Sequence, residues 1–395
     1  MTESALRILM IAPTPYFADR GCHVRIYEEA RALTKQGHEV CIVTYHLGRD
    51  MPGVRVVRIP AIPWYTKLEA GPSWHKPYLD LLLLWKSFKE IRSFRPHLIH
   101  AHLHEGALIG SLLKRLFRIP LLFDYQGSLS GESLNHGFFG ASSSLLKPFK
   151  ALERFIDNGA DLIITSSDKG RQELLHDWGI SSGKVTTLID GVDTEIFRPL
   201  PQNEVRRELG IPENVKLVVF LGLFNRYQGV DLLLDAISLI KSEAPKIRFL
   251  LMGFPDKEYR RKAKEMGLDG VITFTGRVDY DRAPGFLSAG DLAVSPKLAL
   301  TEANGKLFNY MACGLPTVVF DNEINREILG DDGIYVEHGK TSALAGAIIS
   351  TLHNDDVMAS LSAQVRERAV RMHSWDARST QLILAYQSLL VDARR

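Results

Sequence analysis

Short, continuously apolar runs alternate with amphipathic stretches along almost the whole chain. Residues 7–12 predict a buried strand, Pro13-Thr14-Pro15 opens a loop that continues through 19–25, and a helix is expected over 26–36, stopped by Gly37. A second strand follows at 39–44. This strand–loop–helix–strand opening is the first unit of a doubly wound parallel sheet, in which ligands bind beyond the carboxyl ends of the strands. The alternation continues with strands at 54–59, 96–102, 120–124, 161–166 and 184–189, and helices at 77–94, 107–116, 145–156 and 172–178. Residues 197–201 read as a linker. Strands at 217–222, 248–253, 271–275, 292–295 and 317–320 come after it, with helices between them, the first at 230–242, and a last helix at 377–393. The expected architecture is α/β: two Rossmann-like domains facing each other across a cleft.

One stretch stands out, Ala303-Asn304-Gly305-Lys306-Leu307-Phe308-Asn309-Tyr310-Met311-Ala312-Cys313-Gly314-Leu315-Pro316. It reads as a short helix with an Asn-Gly start, a terminal Gly and a Pro two residues on. A helix N-terminus offers unpaired N–H groups and the positive end of the dipole, a seat for phosphate. Gly305 would let an anion approach the backbone, and Lys306 would add a full charge, with Asn309 and Tyr310 above it on one face. Taken alone, a crossover helix with a solvated lysine reads the same way. Neither domain's first strand leads into GxGxxG, so a nicotinamide dehydrogenase is a poor reading.

A length of 395 residues suggests two domains, and 45% hydrophobic with 24% charged residues describes a globular protein. A formal charge of +2 argues against a dedicated nucleic-acid binder. Cys22, Cys41 and Cys313 form no CxxC pair, which fits a reducing compartment and gives no sign of a metal. The apolar runs at 8–12 and 81–85 are too short for a signal-peptide core or a membrane span. A cytoplasmic protein is expected, at the inner face of the membrane if its substrate lies there.

Seven pieces of the chain resemble the GT-B retaining glycosyltransferases of family 4, in that family's order. They are the Gly21 loop with its helix, Lys35-Gln36-Gly37-His38-Glu39-Val40, His100-Ala101-His102, the run from Asp190-Gly191-Val192-Asp193 to Pro199, Gly229-Val230-Asp231-Leu232-Leu233-Leu234, Phe274-Thr275-Gly276-Arg277-Val278, and Tyr310 to Pro316. The resemblance implies an acceptor-binding domain over 1–198, completed by the helix 377–395, and a donor-binding domain over 199–376. The sequence also departs from the pattern. Leu223 and Gln228 stand where the family commonly has Arg and Lys, and Thr301 and Asn309 stand where it has a pair of glutamates. Arg226-Tyr227-Gln228-Gly229 and Lys306–Tyr310 look like a variant subgroup with Tyr-Gln-Gly and a Lys-x-x-x-Tyr helix.

The activity implied is transfer of a sugar from a nucleotide-diphosphate sugar, a co-substrate rather than a cofactor, to a glycan or lipid-linked acceptor. Charge on the departing diphosphate asks for cations and backbone donors. The donor-binding candidates are Gly21, Gly222, Arg226, Gln228, Gly276, Arg277, Lys297, Asn304, Gly305, Lys306, Leu307 and Asn309. Arg226 and Lys297, taken singly, also read as solvated loop cations. Candidate catalytic groups are His102, where the family places a histidine close to the transferred sugar, and Glu302, the acid nearest the altered glutamate positions. On the acceptor side stand Arg20, His23, His104 and Gln126. Asp190 and Asp193 look like metal ligands, but the family uses that turn structurally, so no metal is expected. The leucine face at 79–84 with Lys86 and Lys89, and the basic cluster at 114–118, fit either a core helix with a basic rim or a peripheral membrane contact. Two rival functions stay open: a nucleotide-sugar epimerase on the same fold, and a non-catalytic nucleotide-sugar-binding subunit with a decayed site.

Overall fold

A computed structural model gives the fold and describes residues 5–18, 21–68, 74–135, 143–144, 146–212, 214–300 and 303–393. The chain divides into two compact units. One runs to Asp190 and resumes at Trp375, and the other comprises Gly191–Leu300 and Asn304–Ser374.

The first unit contains β1 (Arg7–Ala12), α1 (Gly21–Lys35), β2 (Glu39–Thr44), β3 (Arg55–Arg58), α2 (Lys76–Phe94), β4 (Leu98–His102), α3 (Leu103–Phe117) and β5 (Leu121–Tyr125). Then follow α4 (Leu129–Asn135), α5 (Leu146–Gly159), β6 (Leu162–Thr165), α6 (Asp168–His176) and β7 (Val185–Thr187). The sheet has seven strands in the order β3-β2-β1-β4-β5-β6-β7, all paired in parallel. Its central strands β4 and β5 are buried along their length because helices cover both faces, with apolar side chains except where they carry His100, His102 and Asp124. Leu9, Ile11, Ile99, Ala101, Leu121 and Phe123 are fully enclosed.

The second unit contains α7 (Gln202–Glu208), β8 (Lys216–Leu221), α8 (Val230–Glu243), β9 (Ile247–Met252), α9 (Lys257–Glu265), β10 (Ile272–Gly276), α10 (Ala283–Ser288) and β11 (Leu292–Ser295). It continues through α11 (Lys306–Ala312), β12 (Thr317–Phe320), α12 (Glu323–Leu329), β13 (Ile334–Val336), α13 (Thr341–Leu352) and α14 (Asp355–Met372). Its six parallel strands run β10-β9-β8-β11-β12-β13.

The last helix, α15 (Trp375–Asp392), belongs to the first unit and lies on α1. Gln36 Nε2 donates to Ser379 Oγ at 2.5 Å, the Trp375 indole N–H donates to the Glu28 carboxylate, and Tyr386 reaches the buried ring of His100. The unit boundaries fall at 190/191 and 374/375 rather than the expected 198/199 and 376/377. A parallel bridge between Val192 and Ser374, with Val192 N donating to His373 O at 2.8 Å, holds the Gly191–Pro199 turn in the second unit.

Three helices start four or five residues earlier than the sequence pattern suggests. α1 begins at Gly21 rather than 26, so the last five residues of the expected loop are helix, α6 begins at Asp168 rather than 172, and α3 begins at Leu103 rather than 107. Gly106 there is a packing requirement, not a loop signal: a Cβ would stand 2.9 Å from Ile11 O. The three-residue strand β13 was not expected at all.

Candidate active site

The strand order of the second unit reverses direction between β8 and β11, a switch point of the kind where open α/β sheets bind ligands. The two strands pair only through Leu292↔Val218 and Ala293↔Val219. Beyond that point Tyr310 of α11 stands between them. Its hydroxyl accepts from Leu221 N at 2.7 Å and lies 3.5 Å from the carbonyl oxygens of Leu221 and Val294. The parted strand ends form a crevice, and Lys306, one turn before Tyr310, points into it.

Gly222 ends β8 against this lysine: a Cβ on it would stand 2.9 Å from Lys306 Nζ. The loop that follows is held to the segment after β11. Leu298 N donates to Tyr227 O at 2.8 Å, and Gly229, at φ +74°, is so close that a Cβ would meet Pro296 O at 1.8 Å. Only glycine fits there. Gln228 N donates to Asn225 Oδ1 at 2.9 Å, and the Gln228 amide oxygen accepts from Lys306 Nζ at 2.5 Å. The same Nζ lies 4.5 Å from the centroid of the Phe220 ring.

Lys306 keeps partial solvent access as a residue, while Lys297 is buried. Burial, and after it the Lys297 charge, hold the Lys306 amine well below the usual lysine range. Among the described residues no carboxylate pairs with Lys306. A bound diphosphate would supply the anion that Lys306 lacks and favour the charged form of its amine.

The remaining donor-side candidates divide. Asn304 is buried, donating to Ser295 Oγ at 3.1 Å and Asn325 Oδ1 at 2.9 Å, so it pins the start of α11. Gly305 has helical dihedrals, Leu307 is a core side chain, and Asn309 is half-buried. Because α11 has only seven residues, the charge at this site rests on Lys306 and Lys297 more than on the helix end. Gly276, at φ +73°, closes β10 and accepts from Gly253 N at 2.9 Å. Arg226 is exposed, and Arg277 is exposed over the Phe254 ring. Gly21, in the first unit, is the first residue of α1. Arg20 and Glu302 lie outside the described residues.

In the first unit, residues far apart in sequence converge beside β4 and β5. Arg25 of α1 grips Asp124 with Nε and Nη2, both at 2.9 Å, reaches the Asp190 carboxylate with Nη1, and has Glu29 3.2 Å away. His102 Nδ1 lies 3.0 Å from Asp124 Oδ2, which also accepts from Gln126 Nε2 at 2.8 Å. Burial alone would raise the Asp124 carboxyl, but Arg25 and then His102 drive it far below the ordinary range. Burial pushes Glu29 well up, and burial and then His102 push His100 well down. The His100 and His102 rings stack at 4.3 Å, and His100 Nδ1 meets Tyr386 Oη at 2.7 Å.

His102 is thus enclosed, with one nitrogen on Asp124 and the other 4.0 Å from Glu29 Oε2. His23 is buried too, with Nδ1 accepting from Ala18 N at 2.9 Å and Nε2 2.5 Å from Thr14 Oγ1. His104 lies 3.4 Å from Asp157 and 3.7 Å from Glu153. Gln126 keeps partial access at the end of β5.

Among the described residues two groups have spacing that could suit a metal, Glu29-His100-His102-Asp124 and His104-Glu153-Asp157. In the first, the Arg25 guanidinium already occupies both Asp124 oxygens. In the second, Glu153 is engaged by Ser128 Oγ and by the backbone N–H groups of Leu129 and Ser130. Arg25, Glu29, Asp124 and Tyr386 were not among the sequence candidates. Their available signal was charge inside apolar surroundings, as in Leu121-Leu122-Phe123-Asp124-Tyr125.

Two family models match the chain in succession. "Glycosyltransferase Family 4" covers residues 20–196 and "Glycosyl transferases group 1" covers 215–354. The protein is a glycosyltransferase with the GT-B type of fold. Specifically, the two models in succession support a group 1 glycosyltransferase. It is 25% identical to the D-inositol 3-phosphate glycosyltransferase of Corynebacterium glutamicum (strain R), over 94% of this chain and 92% of that one. Among solved structures it is similar to sucrose-phosphate synthase from Thermosynechococcus elongatus, with a TM-score of 0.81 at 21% identity, covering 98% of this chain and 100% of that one. It is also similar to Anabaena HepE in complex with UDP and glucose, with a TM-score of 0.77 at 16% identity, covering 97% and 100%.

Proposed function

We propose that this glycosyltransferase moves a sugar, with retention of configuration, from a nucleoside-diphosphate sugar to a glycan or lipid-linked acceptor. It works without a resident metal or cofactor, on the cytoplasmic side and at the inner face of a membrane. The observation that carries the reading is Lys306: a lysine half-buried at the β8/β11 switch point, beside Lys297, with an amide and an aromatic face but no carboxylate among the described residues. The charged Lys306 amine would face the diphosphate as its bond to the sugar breaks, which is the charge stabilisation this transfer needs. A similar fold crystallised with UDP and glucose supports the same class of donor.

In this reading the second unit binds the donor through Gly222, Gln228, Gly276, Lys297 and the start of α11, as the Tyr-Gln-Gly variant of the family. The first unit binds the acceptor, with Gln126 and Arg20 on that side. His102 and Glu302 serve the reacting sugar, and Asp124 fixes the His102 ring by holding its Nδ1 proton. A thermal-shift panel of UDP-, GDP-, ADP- and CDP-sugars, with and without magnesium, tests the donor site by linkage. A metal-independent rise with one nucleotide supports it, and product analysis with an acceptor then reads the anomeric outcome. No rise with any nucleotide sugar would sink the reading, and conversion of the donor without an acceptor would replace it with an epimerase.

A further inference from the structure

One face of the first unit's sheet is covered by α2, α3 and α5, packed side by side. Each helix buries one stripe: Leu79, Leu83 and Ile91 on α2, Ile109 and Leu113 on α3, and Ile156 on α5. Phe88 and Phe117 pack at 5.3 Å between α2 and α3, and Lys114 Nζ donates to Gly159 O at 3.1 Å between α3 and α5. Amphipathic helices in a globular domain place polar residues on the outer stripe. Here the outer stripe is apolar as well, with Leu81 67% exposed, Leu116 64% and Phe155 56%, beside Trp85, Leu112 and Leu152.

The charges on these helices are equally one-sided. Lys89, Arg92, Arg115, Lys147, Lys150 and Arg154 are exposed. Not one exposed acid accompanies them among the described side chains. Asp80 is held by Tyr45, Glu90 by Arg55 and Glu105 by Lys76, while Glu153 and Asp157 are buried. A chain with a net charge of only +2 has therefore concentrated unopposed cations on its apolar outer layer. Lys89 stands 3.8 Å over the Trp85 ring, cation and aromatic sharing one spot.

We infer that the α2–α3–α5 layer is a docking surface for an anionic lipid bilayer. Protein–protein interface cores are depleted in lysine, whereas Trp, Phe and Leu interleaved with Lys and Arg suit the boundary between acyl chains and acidic headgroups. No helix among the described residues is long and apolar enough to cross a membrane, so the contact is peripheral. The inference rests on the proposed function in one respect: an acceptor at a membrane face gives the docking its purpose.

The test is flotation of the full chain with phosphatidylglycerol/phosphatidylcholine vesicles and with pure phosphatidylcholine, at low and high salt. Binding is expected to the anionic vesicles only, weakening with salt. Lys89→Ser/Arg115→Ser/Lys150→Ser should cut partitioning about fivefold per cation, roughly a hundredfold together. Leu81→Ser/Leu116→Ser/Phe155→Ser should abolish it with the melting temperature retained. The inference is overturned if the full chain ignores anionic vesicles or if either triple variant binds like the parent. It is also overturned if the apolar variant instead converts a dimer to a monomer by light scattering, since a second copy would then cover the layer. Transfer to a water-soluble acceptor is measured on the same preparations. Transfer without vesicle binding removes only the docking surface, and vesicle binding without transfer removes only the proposed function.

Discussion

Tyr310 accepts a hydrogen bond from the Leu221 amide, 2.7 Å away, at the point where β8 has parted from β11. The hydroxyl stands in for the strand that is no longer there, keeping the crevice open without an orphaned backbone donor. Tyr310→Phe leaves the half-buried Leu221 N–H without this partner, which costs about 1 kcal/mol. A lower denaturant midpoint with unchanged m-value is the expected result. Unchanged stability would mean that the crevice does not depend on this contact.

The position of Lys306 sets function against stability. Its amine is desolvated and repelled by Lys297, so Lys306→Met should leave the apo protein as stable or raise its stability by about 1 kcal/mol. The same change should weaken nucleotide-sugar binding at least tenfold. Because burial holds the free amine below the usual lysine range, donor binding should take up a proton. Calorimetry in two buffers of different ionisation enthalpy reads that uptake, and affinity should fall as pH rises above the free-enzyme pKa. A buffer-independent heat, or a Met variant that binds normally, would remove Lys306 from the diphosphate site.

What could be read from the chain was the local part. The strands 292–295 and 317–320 and the helix between them follow from apolar runs bounded by Gly and Pro, and the structure places them at those residues. The start of α3 was illegible because Gly106 and its flanking histidines look like a loop until β1 is known to pass beneath them. The Arg25–Asp124–Asp190 contact joins residues 99 and 165 positions apart, and no spacing rule reaches that far. Lys306 was legible as a cation near a helix start, but its partners, Gln228 and Phe220, come from another strand and loop.

Asp80 gives the first unit a pH dependence. Burial, and then the nearby Glu105 charge, push its carboxyl up to about 7, while Tyr45 donates to it at 2.5 Å. The unfolded chain ionises Asp80 near pH 4. Between those values the folded state keeps a proton that the unfolded state has released, so this residue's contribution to stability falls as pH rises toward 7 and is flat above it. Asp80→Asn should therefore be close to wild type at about pH 4 and more stable by on the order of 2–4 kcal/mol at about pH 8. Melting curves at the two pH values decide it. An equal effect at both would mean the carboxyl is ionised throughout.

Arg25 and Asp124 are both enclosed, so each is the condition for the other's charge. Removing Arg25 alone, as Arg25→Met, leaves Asp124 with its His102 and Gln126 donors but without its counter-charge. A loss of about 3–5 kcal/mol is expected for such an uncompensated buried charge. Asp124→Leu alone strands the guanidinium, whose remaining carboxylates are Asp190 and Glu29. The double variant should recover much of either loss, because a buried pair exchanged for apolar side chains is often close to neutral. Transfer activity should not recover with it. His102 Nδ1 and the Gln126 amide both take their orientation from Asp124 Oδ2, and a leucine cannot accept from either. Stability restored with activity still lost would place the pair in the orientation of the site. Stability and activity restored together would reduce it to a structural contact.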